Sequence, residues 1–213
     1  MIRVLLADDH SMVRAGLREL LTATGDITVV GEATNGQEVL TAVREGGFEV
    51  LVLDMSMPGR SGIELIKLVK AEQPKLRILV LSMHSEEQYA VRAVRAGASG
   101  YLTKESAPDE LVAAIERVAS GRAYITAETA ERLVLDTSSG DERPAHSRLS
   151  NREYEVFRSI AGGRSVTDIA SDLNLSVKTI STHKARILEK MNLSSQSELV
   201  RYAVRHGLLD DDV

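Results

Sequence analysis

Polar side chains stand where four apolar runs of this sequence end. They are Asp8 and Asp9 after Ile2–Ala7, Asp54 after Val50–Leu53, Ser82 at the end of Ile78–Ser82, and Lys104 after Ser99–Thr103. Short apolar runs bounded by turn residues are typical of strands buried on both faces of a parallel sheet. The carboxyl ends of such strands meet along one edge, where ligands bind. We therefore expect these side chains to converge on one crevice.

Three carboxylates close together repel one another, and a hard divalent cation such as Mg²⁺ relieves this repulsion. A carboxylate beside Mg²⁺, a lysine and a hydroxyl together suit phosphoryl transfer, with Asp54 as the nucleophile that forms an acyl phosphate. Lys104 would pair with one phosphoryl oxygen and Ser82 would donate a hydrogen bond to another. The added charge of roughly −1.5 to −2 predicts a switch around Ser82.

Each of these residues also has a simpler interpretation. Asp54 could cap the turn that follows it, and Asp8 or Asp9 could cap the first helix. Ser82 could be an ordinary strand-end hydroxyl, and Lys104 a solvated surface lysine. Their joint placement at successive strand ends favours a functional site.

The elements that must position this site alternate between strand and helix. The predicted strands are Ile2–Ala7, Ile27–Ala33, Val50–Leu53, Ile78–Ser82 and Ser99–Thr103; the predicted helices are Met12–Ala23, Gly36–Arg44, Ile63–Ala71, Glu87–Ala96 and Pro108–Ser120. Five such units predict an α/β doubly wound, five-stranded parallel sheet with helices on both faces.

Composition narrows the class of protein. The 213 residues include no Cys, which excludes disulfides and cysteine zinc sites. No apolar run reaches the ~18 residues of a membrane span, and the N-terminus is unlike a secretory signal, so we expect a cytoplasmic protein with no membrane partner.

Charge differs between the two ends of the chain. Arg148 to Leu209 carries 10 Lys and Arg against 6 Asp and Glu, whereas Met1 to Ser147 carries 16 against 22. This asymmetry indicates two domains and makes nucleic acid a possible partner of the basic one. Asp210, Asp211 and Asp212 form a short acidic tail.

A connecting region follows the α/β pattern. The spacing predicts a helix over Ala127–Leu135, and the small, polar, Pro- and Gly-containing stretch Asp136–Pro144 then predicts a flexible linker.

Four helices are predicted after the linker, at about Asn151–Ala161, Val166–Leu173, Val177–Met191 and Gln196–His206. Helix-start signals support them: Ser150 with Glu153 and Ser195 with Glu198 fit capping boxes, Ser165 with Asp168 is a weaker version, and Ser176 is a simple N-cap. The short turn before Val177 predicts a helix-turn-helix.

Two faces are predicted on the helix Val177–Met191. The inward face is Ile180, Ile187, Leu188 and Met191, and the outward or flanking residues are Lys178, Ser181, Thr182, Ala185, Arg186 and Lys190. This polar, basic face could enter the major groove of DNA, or it could be the solvated face of a generic helical bundle.

The residues Asp8-Asp9, Asp54, Ser82, Tyr101 and Lys104 resemble the receiver domain of two-component response regulators, over about Ile2 to Gly121. The resemblance implies a CheY-like fold in which Asp9 and Asp54 bind Mg²⁺ directly, Asp8 binds it through water, and the backbone carbonyl of Ser56 supplies another ligand. It also implies that Tyr101 is an aromatic switch residue that turns inward when Ser82 moves. The alternative for Tyr101 is an ordinary half-buried core tyrosine.

The stretches Leu149–Glu153, Ile169-Ala170 and Leu175–Ile180, with His183, resemble the LuxR-type DNA-binding domain. Together with the receiver, the chain resembles the NarL/FixJ family of response regulators, and Ala203–Leu208 is similar to its GacA/UvrY branch. By resemblance, Ser181, Thr182 and Ala185 occupy base-reading positions, and Lys178, Thr179, His183 and Lys184 lie near phosphates or groove edges. Relatives often carry Lys at positions 181 and 185, so base preference does not transfer; Lys184 or Arg186 could compensate.

These observations predict a receiver at 1–121, a connecting helix and linker at 122–147, a LuxR-type domain at 148–209 and an acidic tail at 210–213. A sensor histidine kinase, or a small phosphodonor such as acetyl phosphate, would phosphorylate Asp54. Phosphorylation would then control formation of a homodimer that binds double-stranded DNA and regulates transcription. We expect a regulator that assists its own phosphoryl transfer and dephosphorylation, not an enzyme acting on a separate substrate.

Two rival functions follow from the same residues. Aspartate-nucleophile phosphatases also place Asp after a buried strand, but they usually carry a second Asp two positions later, where this chain has Ser56. Alternatively, the α/β domain serves only as a dimerisation or docking module for a DNA-binding protein. Dinucleotide binding is disfavoured because no Gly-rich loop follows the first strand, and RNA stacking because aromatics make up only 3% of the chain.

Overall fold

The computed structural model describes residues 1–57, 62–83, 87–106, 108–138, 144–173 and 175–209. Its residues form two compact units, Met1–Thr137 and Ser138–Val213. The finer boundaries expected within 122–147 stay predictions, and the predicted acidic tail lies outside the described residues, as does Asn174 in the predicted helix-turn-helix turn.

The first unit alternates strands and helices as predicted. The strands are β1 (Ile2–Ala7), β2 (Ile27–Ala33), β3 (Val50–Asp54), β4 (Arg77–Ser82) and β5 (Gly100–Thr103). The helices are α1 (Ser11–Ala23), α2 (Gly36–Glu45), α3 (Gly62–Glu72), α4 (Glu87–Ala96), α5 (Pro108–Ala119) and α6 (Ala127–Ser138).

All five strands pair in parallel in the order β2-β1-β3-β4-β5, which confirms the predicted doubly wound sheet. Strand β3 lies at the centre, and all of its residues are buried because both sheet faces are covered. On one face, Val4, Val52 and Leu79 pack with Ile115 and Val118 of α5.

One expectation about the connecting region is wrong. Asp136, Thr137 and Ser138, which were predicted to begin a flexible linker, continue helix α6 to Ser138. These residues have low helix propensity, but extending a helix that has already nucleated costs only about 0.5 kcal/mol for each such residue. Residues 139–143 of the predicted linker lie outside the described part of the chain.

The second unit is helical. A 3₁₀ helix at Ala145–Arg148, which was not predicted, precedes α7 (Asn151–Ala161), α8 (Val166–Asp172), α9 (Val177–Met191) and α10 (Gln196–Arg205). Their core consists of fully buried side chains that include Tyr154, Phe157, Ile160, Ile180, Ile187 and Leu199. The predicted small four-helix domain is therefore confirmed.

The helix-start signals are confirmed at three of the four sites and altered at one. Ser150 and Glu153 form a reciprocal capping box, and Ser165 and Ser176 cap α8 and α9. At α10, Ser195 accepts from the Glu198 N–H, but the Glu198 carboxylate accepts from the N–H of Ser194 at 2.6 Å, so the pair is not the reciprocal box expected.

Among the helices that the structure describes, none combines the length and the apolar character needed to cross a lipid bilayer.

Candidate functional site

The sheet register brings the predicted site residues to one edge. Ala7 pairs with Leu53, and Asp54 pairs with Leu81, so the residues after β1, at the end of β3 and at the end of β4 stand side by side. Ser82 pairs with Thr103, which places Lys104 next in this row. Parallel pairing therefore assembles the crevice from four strand ends.

Lys104 bridges two buried carboxylates in this crevice. Its Nζ lies 2.7 Å from Oδ2 of Asp8 and 3.0 Å from Oδ2 of Asp54. The side chains of Asp8 and Asp54 are 3% and 0% exposed, so this contact is shielded from water. Lys104 is itself held by its main chain, since its N–H donates to the Ser82 carbonyl at 2.7 Å. Lys104 is therefore a fixed part of the crevice and not a solvated surface lysine.

Burial and charge oppose each other at the two partners. Burial raises the pKa of the Asp54 carboxyl, and the Lys104 ammonium and the Ser56 N–H only partly offset this. Burial alone would lower the pKa of Lys104, but its contacts with Asp8 and Asp54 outweigh it and raise that pKa. One ammonium thus faces the charge of several carboxylates, and the crevice retains an excess of negative charge that a cation can neutralise.

Asp8, Asp9, His10 and Asp54 offer ligand atoms that all lie within 4.8 Å of one another. Three of the four supply carboxylate oxygens, the donors that Mg²⁺ prefers. The donor set therefore fits a hard divalent cation held by Asp8, Asp9 and Asp54. The N–H of Ser56 donates to Oδ1 of Asp54 at 3.1 Å, while the role of its carbonyl as a ligand stays a prediction.

Two residues around this crevice were missed by sequence reasoning. Nδ1 of His10 lies 3.1 Å from Asp8 Oδ1 and 3.0 Å from Asp9 Oδ1. Arg14 donates from Nη1 to the main-chain carbonyl of Asp8 at 2.7 Å. The adjacency of His10 to the aspartate pair, and the spacing of Arg14 one helical turn later, are the signals that could have indicated them.

Ser82 and Tyr101 contact each other directly. Ser82 is fully buried and Tyr101 is 8% exposed. Burial raises the pKa of Tyr101 to about 12, and a hydrogen bond with the Ser82 side chain works against this shift. The predicted switch residue thus points inward and touches the predicted switch hydroxyl.

Tyr101 also contacts the segment that leads out of the first unit. Its N–H donates to the carbonyl of Tyr124 at 3.0 Å, and the Tyr124 N–H donates to the carbonyl of Ser99 at 3.0 Å. Tyr101 and Tyr124 further line a cavity of about 310 Å³ with Glu110 of α5 and Thr129 of α6. Tyr101 therefore joins the crevice side of β5 to the start of α6.

Helix α9 presents the face predicted to contact DNA. Lys178, Ser181, Thr182, Ala185 and Arg186 are exposed, whereas Thr179, His183 and Lys184 are half-buried. The hydroxyls of Ser181 and Thr182 donate to the carbonyls of Val177 and Lys178, each at 2.9 Å. Their oxygens remain able to accept hydrogen bonds from a ligand.

One side chain on α9 differs from the predicted arrangement, and two lysines on this helix have partners that were not predicted. Leu188 is only half-buried, although its spacing predicted an inward position. Lys190 donates to Glu153 of α7 at 2.6 Å, and Lys184 donates to Gln196 at the start of α10 at 2.6 Å. These two lysines therefore anchor α9 to its neighbours in this structure.

His183 lies partly against α7. Its Nδ1 is buried and has no hydrogen-bond partner among the residues that the structure describes. Burial lowers the pKa of the ring, with nearby Arg152 and Arg186 contributing to the shift. A lowered pKa keeps the imidazole of the unliganded protein neutral at pH 7.

Comparison with known families matches both units. Residues 4–116 match the response regulator receiver domain, and residues 147–203 match the bacterial regulatory proteins of the luxR family. Both descriptions are of regulatory domains.

Similar proteins cover nearly the whole chain. The response regulator UvrY of Escherichia coli K12 is 38% identical over 98% of this chain and 96% of its own length. The response regulator GacA of Pseudomonas protegens is 37% identical over 99% of both chains.

Solved structures of RcsB are also similar to this chain. RcsB from Salmonella enterica serovar Typhimurium, bound to a promoter in the presence of phosphomimetic BeF3−, is 34% identical, covers 94% of this chain and 97% of its own, and has a TM-score of 0.58. A structure of two RcsB dimers on two parallel DNAs is 31% identical over 95% of this chain and 98% of its own, with a TM-score of 0.58.

Proposed function

We propose that Asp54 is the phosphoacceptor of this chain, which belongs to the NarL/FixJ family of two-component response regulators and has a receiver and a LuxR-type DNA-binding domain. The observation that carries this proposal is the contact of Lys104 with both Asp8 and Asp54. It places a fixed cation beside a buried carboxylate at the carboxyl edge of the sheet, where a phosphoryl group can be received.

The transfer is a displacement at phosphorus. A carboxylate oxygen of Asp54 forms a bond to phosphorus while the bond from phosphorus to the donor breaks, and the donor leaves with that electron pair. Lys104 is positioned to pair with a phosphoryl oxygen. Asp8, Asp9 and Asp54 would hold a Mg²⁺ ion, which would supply positive charge to offset the negative charge of the transition state. The donor is a sensor histidine kinase or a small molecule such as acetyl phosphate.

Ser82 and Tyr101 transmit the effect of phosphorylation away from Asp54. The hydrogen bond between Ser82 and Tyr101 lowers the pKa of Tyr101, as donation from the Ser82 hydroxyl does. A hydroxyl has one proton to donate, so donation from Ser82 to a phosphoryl group would change this bond. Its contact with Tyr101 then couples the charge on Asp54 to β5. The hydrogen bond from Tyr101 to Tyr124 extends this coupling to the start of α6.

The second unit binds double-stranded DNA through α9, and phosphorylation promotes a homodimer that presents two copies of α9. The similarity to RcsB, described as dimers on DNA, supports this step. Lys178 and Arg186 supply phosphate contacts, and Ser181, Thr182 and Ala185 face base edges.

Intact mass tests the proposal. Full-length protein is incubated with acetyl phosphate and Mg²⁺, alongside Asp54→Asn and an EDTA-treated sample. We expect one phosphoryl adduct on the wild type alone. We also expect the phosphorylated protein to form a homodimer and to bind promoter DNA more tightly. A folded wild type that gains no adduct from acetyl phosphate or from a histidine kinase, yet still binds DNA, would show that the first unit is only a docking module.

A further inference from the structure

Arg14 is a nearly buried arginine that connects three elements beside the crevice. Its side chain is 12% exposed, although it stands near the start of α1 and carries a full charge. Burying a guanidinium is costly unless its donors are satisfied, so its partners indicate what the residue does.

The guanidinium donates hydrogen bonds both to the sheet and to the loop after β1. Nε donates to Oε2 of Glu32, on β2, at 3.0 Å, and Nη1 donates to the main-chain carbonyl of Asp8 at 2.7 Å. The planar fork fixes both acceptors relative to each other, which a single flexible ammonium does less well. Arg14 thus ties the Asp8 carbonyl to β2.

The Asp8 carbonyl belongs to the peptide plane that leads into Asp9. Asp8 is already fixed at its other atoms, because its N–H donates to Ala33 at 3.1 Å and its carboxylate receives Lys104 and the N–H of His10. Asp9 is less constrained: its side chain is 31% exposed, and its neighbour His10 is 62% exposed. The orientation of the peptide between Asp8 and Asp9 therefore decides where the Asp9 carboxylate points.

Glu32 is suited to anchor this arrangement. The hydrogen bond from Arg14 lowers the pKa of Glu32, and contacts with Arg18 add to this effect against burial. Glu32 thus stays ionised at neutral pH and keeps Arg14 aligned. Arg18 contacts the same carboxylate from the next turn of α1, but its side chain is 55% exposed and makes no described contact with the loop after β1.

We infer that Arg14 is a positioning residue for the metal site: by fixing the Asp8–Asp9 peptide against β2, it sets the affinity of the crevice for Mg²⁺. This inference rests on the proposed function of that crevice. Residues that orient metal ligands typically change metal affinity by about 10- to 100-fold when they are replaced. Arg14 acts through the main chain of a ligand, which puts its expected effect near the lower end of that range.

The test measures Mg²⁺ binding to the full chain by isothermal titration calorimetry, without a phosphodonor. We expect Arg14→Gln to raise the Kd for Mg²⁺ about tenfold and Arg14→Lys to raise it less. Glu32→Gln weakens the anchor and gives an intermediate value. Arg18→Gln is the matched control, because it removes a contact with Glu32 but none with the loop, and its Kd stays within about twofold of the wild type.

Phosphorylation by acetyl phosphate provides a second readout. In Arg14→Gln, the Mg²⁺ concentration for half-maximal rate rises, while the rate at saturating Mg²⁺ stays close to that of the wild type. A general structural defect would instead lower the saturated rate. Thermal unfolding in EDTA checks that each variant is folded. If Arg14→Gln is not folded, Arg14→Lys takes its place in the comparison.

The outcomes separate this inference from the proposed function. A wild type that neither binds Mg²⁺ nor accepts a phosphoryl group overturns the proposed function and this inference with it. A wild type that does both, with Arg14→Gln and Arg14→Lys matching its Kd, or with Arg18→Gln as impaired as Arg14→Gln, overturns the inference alone.

Discussion

The main-chain N–H of Tyr101 donates a 3.0 Å hydrogen bond to the carbonyl of Tyr124. The residue whose side chain contacts Ser82 is thus joined through its backbone to the segment that follows α5. Tyr124 forms a parallel bridge with Gly100 at the outer edge of β5. This short pairing covers an edge that would otherwise expose unpaired N–H and C=O groups.

Gly100 permits this close approach, and we expect Gly100→Ala to break it. An added Cβ would lie 2.8 Å from Cδ1 of Leu79 and 3.0 Å from the carbonyl oxygen of Tyr124. The Leu79 methyl can shift, but the Tyr124 backbone must move away. We expect a loss of about 1–3 kcal/mol in unfolding free energy, with faster amide exchange at Tyr101 and Tyr124.

Gly16→Ala is the matched control for this substitution. Gly16 lies inside α1, and an added Cβ there would have no atom of the described residues within 4 Å. Removing glycine from a helix interior stabilises by up to about 1 kcal/mol. Urea unfolding and hydrogen exchange of both variants check the prediction, and unchanged protection of Tyr101 and Tyr124 in Gly100→Ala would contradict it.

The strand ends were predictable from sequence because apolar runs define them, and parallel pairing then fixes which ends are neighbours. For that reason, the strand-end residues lie close together as expected; they are Asp8, Asp54, Ser82 and Lys104. The Tyr124 bridge was not predictable, because residues 122–126 lack the apolar alternation of a strand and pair through backbone atoms alone.

The partners of long polar side chains were also beyond sequence reasoning. Lys190 was predicted to lie outward or flanking on α9 and it is exposed, but its contact with Glu153 on α7, 37 residues away in sequence, was not predicted. Arg14 similarly reaches the carbonyl of Asp8. Such contacts depend on the distance between packed elements, which periodicity within one element does not specify.

Replacing the buried carboxylate of Asp54 should stabilise the protein when no metal is bound. Burial raises the pKa of Asp54 despite Lys104, so holding this carboxyl ionised at pH 7 costs more free energy in the folded state than in the unfolded state. Asp54→Asn removes that charge and leaves Lys104 paired with Asp8. We expect a gain of roughly 1–2 kcal/mol in EDTA, of the order of the desolvation cost of a buried polar group.

Added Mg²⁺ should make the wild type more stable than Asp54→Asn, the reverse of the order expected in EDTA. A ligand that binds only the folded state stabilises it in proportion to its affinity, and Asp54→Asn lacks one ligand. Thermal unfolding with and without Mg²⁺ checks both statements. An Asp54→Asn protein that is less stable than the wild type in EDTA would show that the ion pair with Lys104 outweighs burial.

Two exposed basic residues on α9 should contribute to DNA affinity but not to sequence specificity. We expect Lys178→Ala and Arg186→Ala each to weaken promoter and unrelated DNA alike, and each to reduce the slope of log K against log salt by about one. Arg201→Ala on α10, a side chain that is 74% exposed, removes the same charge away from α9. Fluorescence anisotropy over a salt series checks this, and equal losses in Arg201→Ala would argue against α9 as the contact.

The hydroxyls on the same face should act differently. Ser181→Ala and Thr182→Ala remove acceptors but no charge, so the salt slope stays constant. If these residues read base edges, promoter binding weakens by about 1–3 kcal/mol while binding to unrelated DNA changes little. An equal change for both DNAs would show that the hydroxyls only contact the backbone.

Glu153 should make the stability of the second unit depend on pH. Burial alone would raise the pKa of Glu153, but hydrogen bonds from Lys190 and Ser150 hold it below its ordinary value of 4.5. A carboxyl with a lowered folded-state pKa stabilises the fold above 4.5, and this stabilisation is lost as pH falls through the folded-state value. We therefore expect unfolding of the second unit to become easier as the pH falls below 4.5.

Two substitutions at Glu153 separate its two contacts. Glu153→Gln can still accept from the Ser150 N–H but loses the charge facing Lys190, so it should cost about 1 kcal/mol at pH 7 and flatten the acid dependence. Glu153→Ala also loses the capping interaction and should cost about 2 kcal/mol. Hydrogen exchange in α7 of the full chain, measured from pH 7 down to the acid transition, reports on this unit alone. An acid dependence in Glu153→Gln as steep as in the wild type would mean that other carboxyls control it, since the glutamine has no proton to gain over this range.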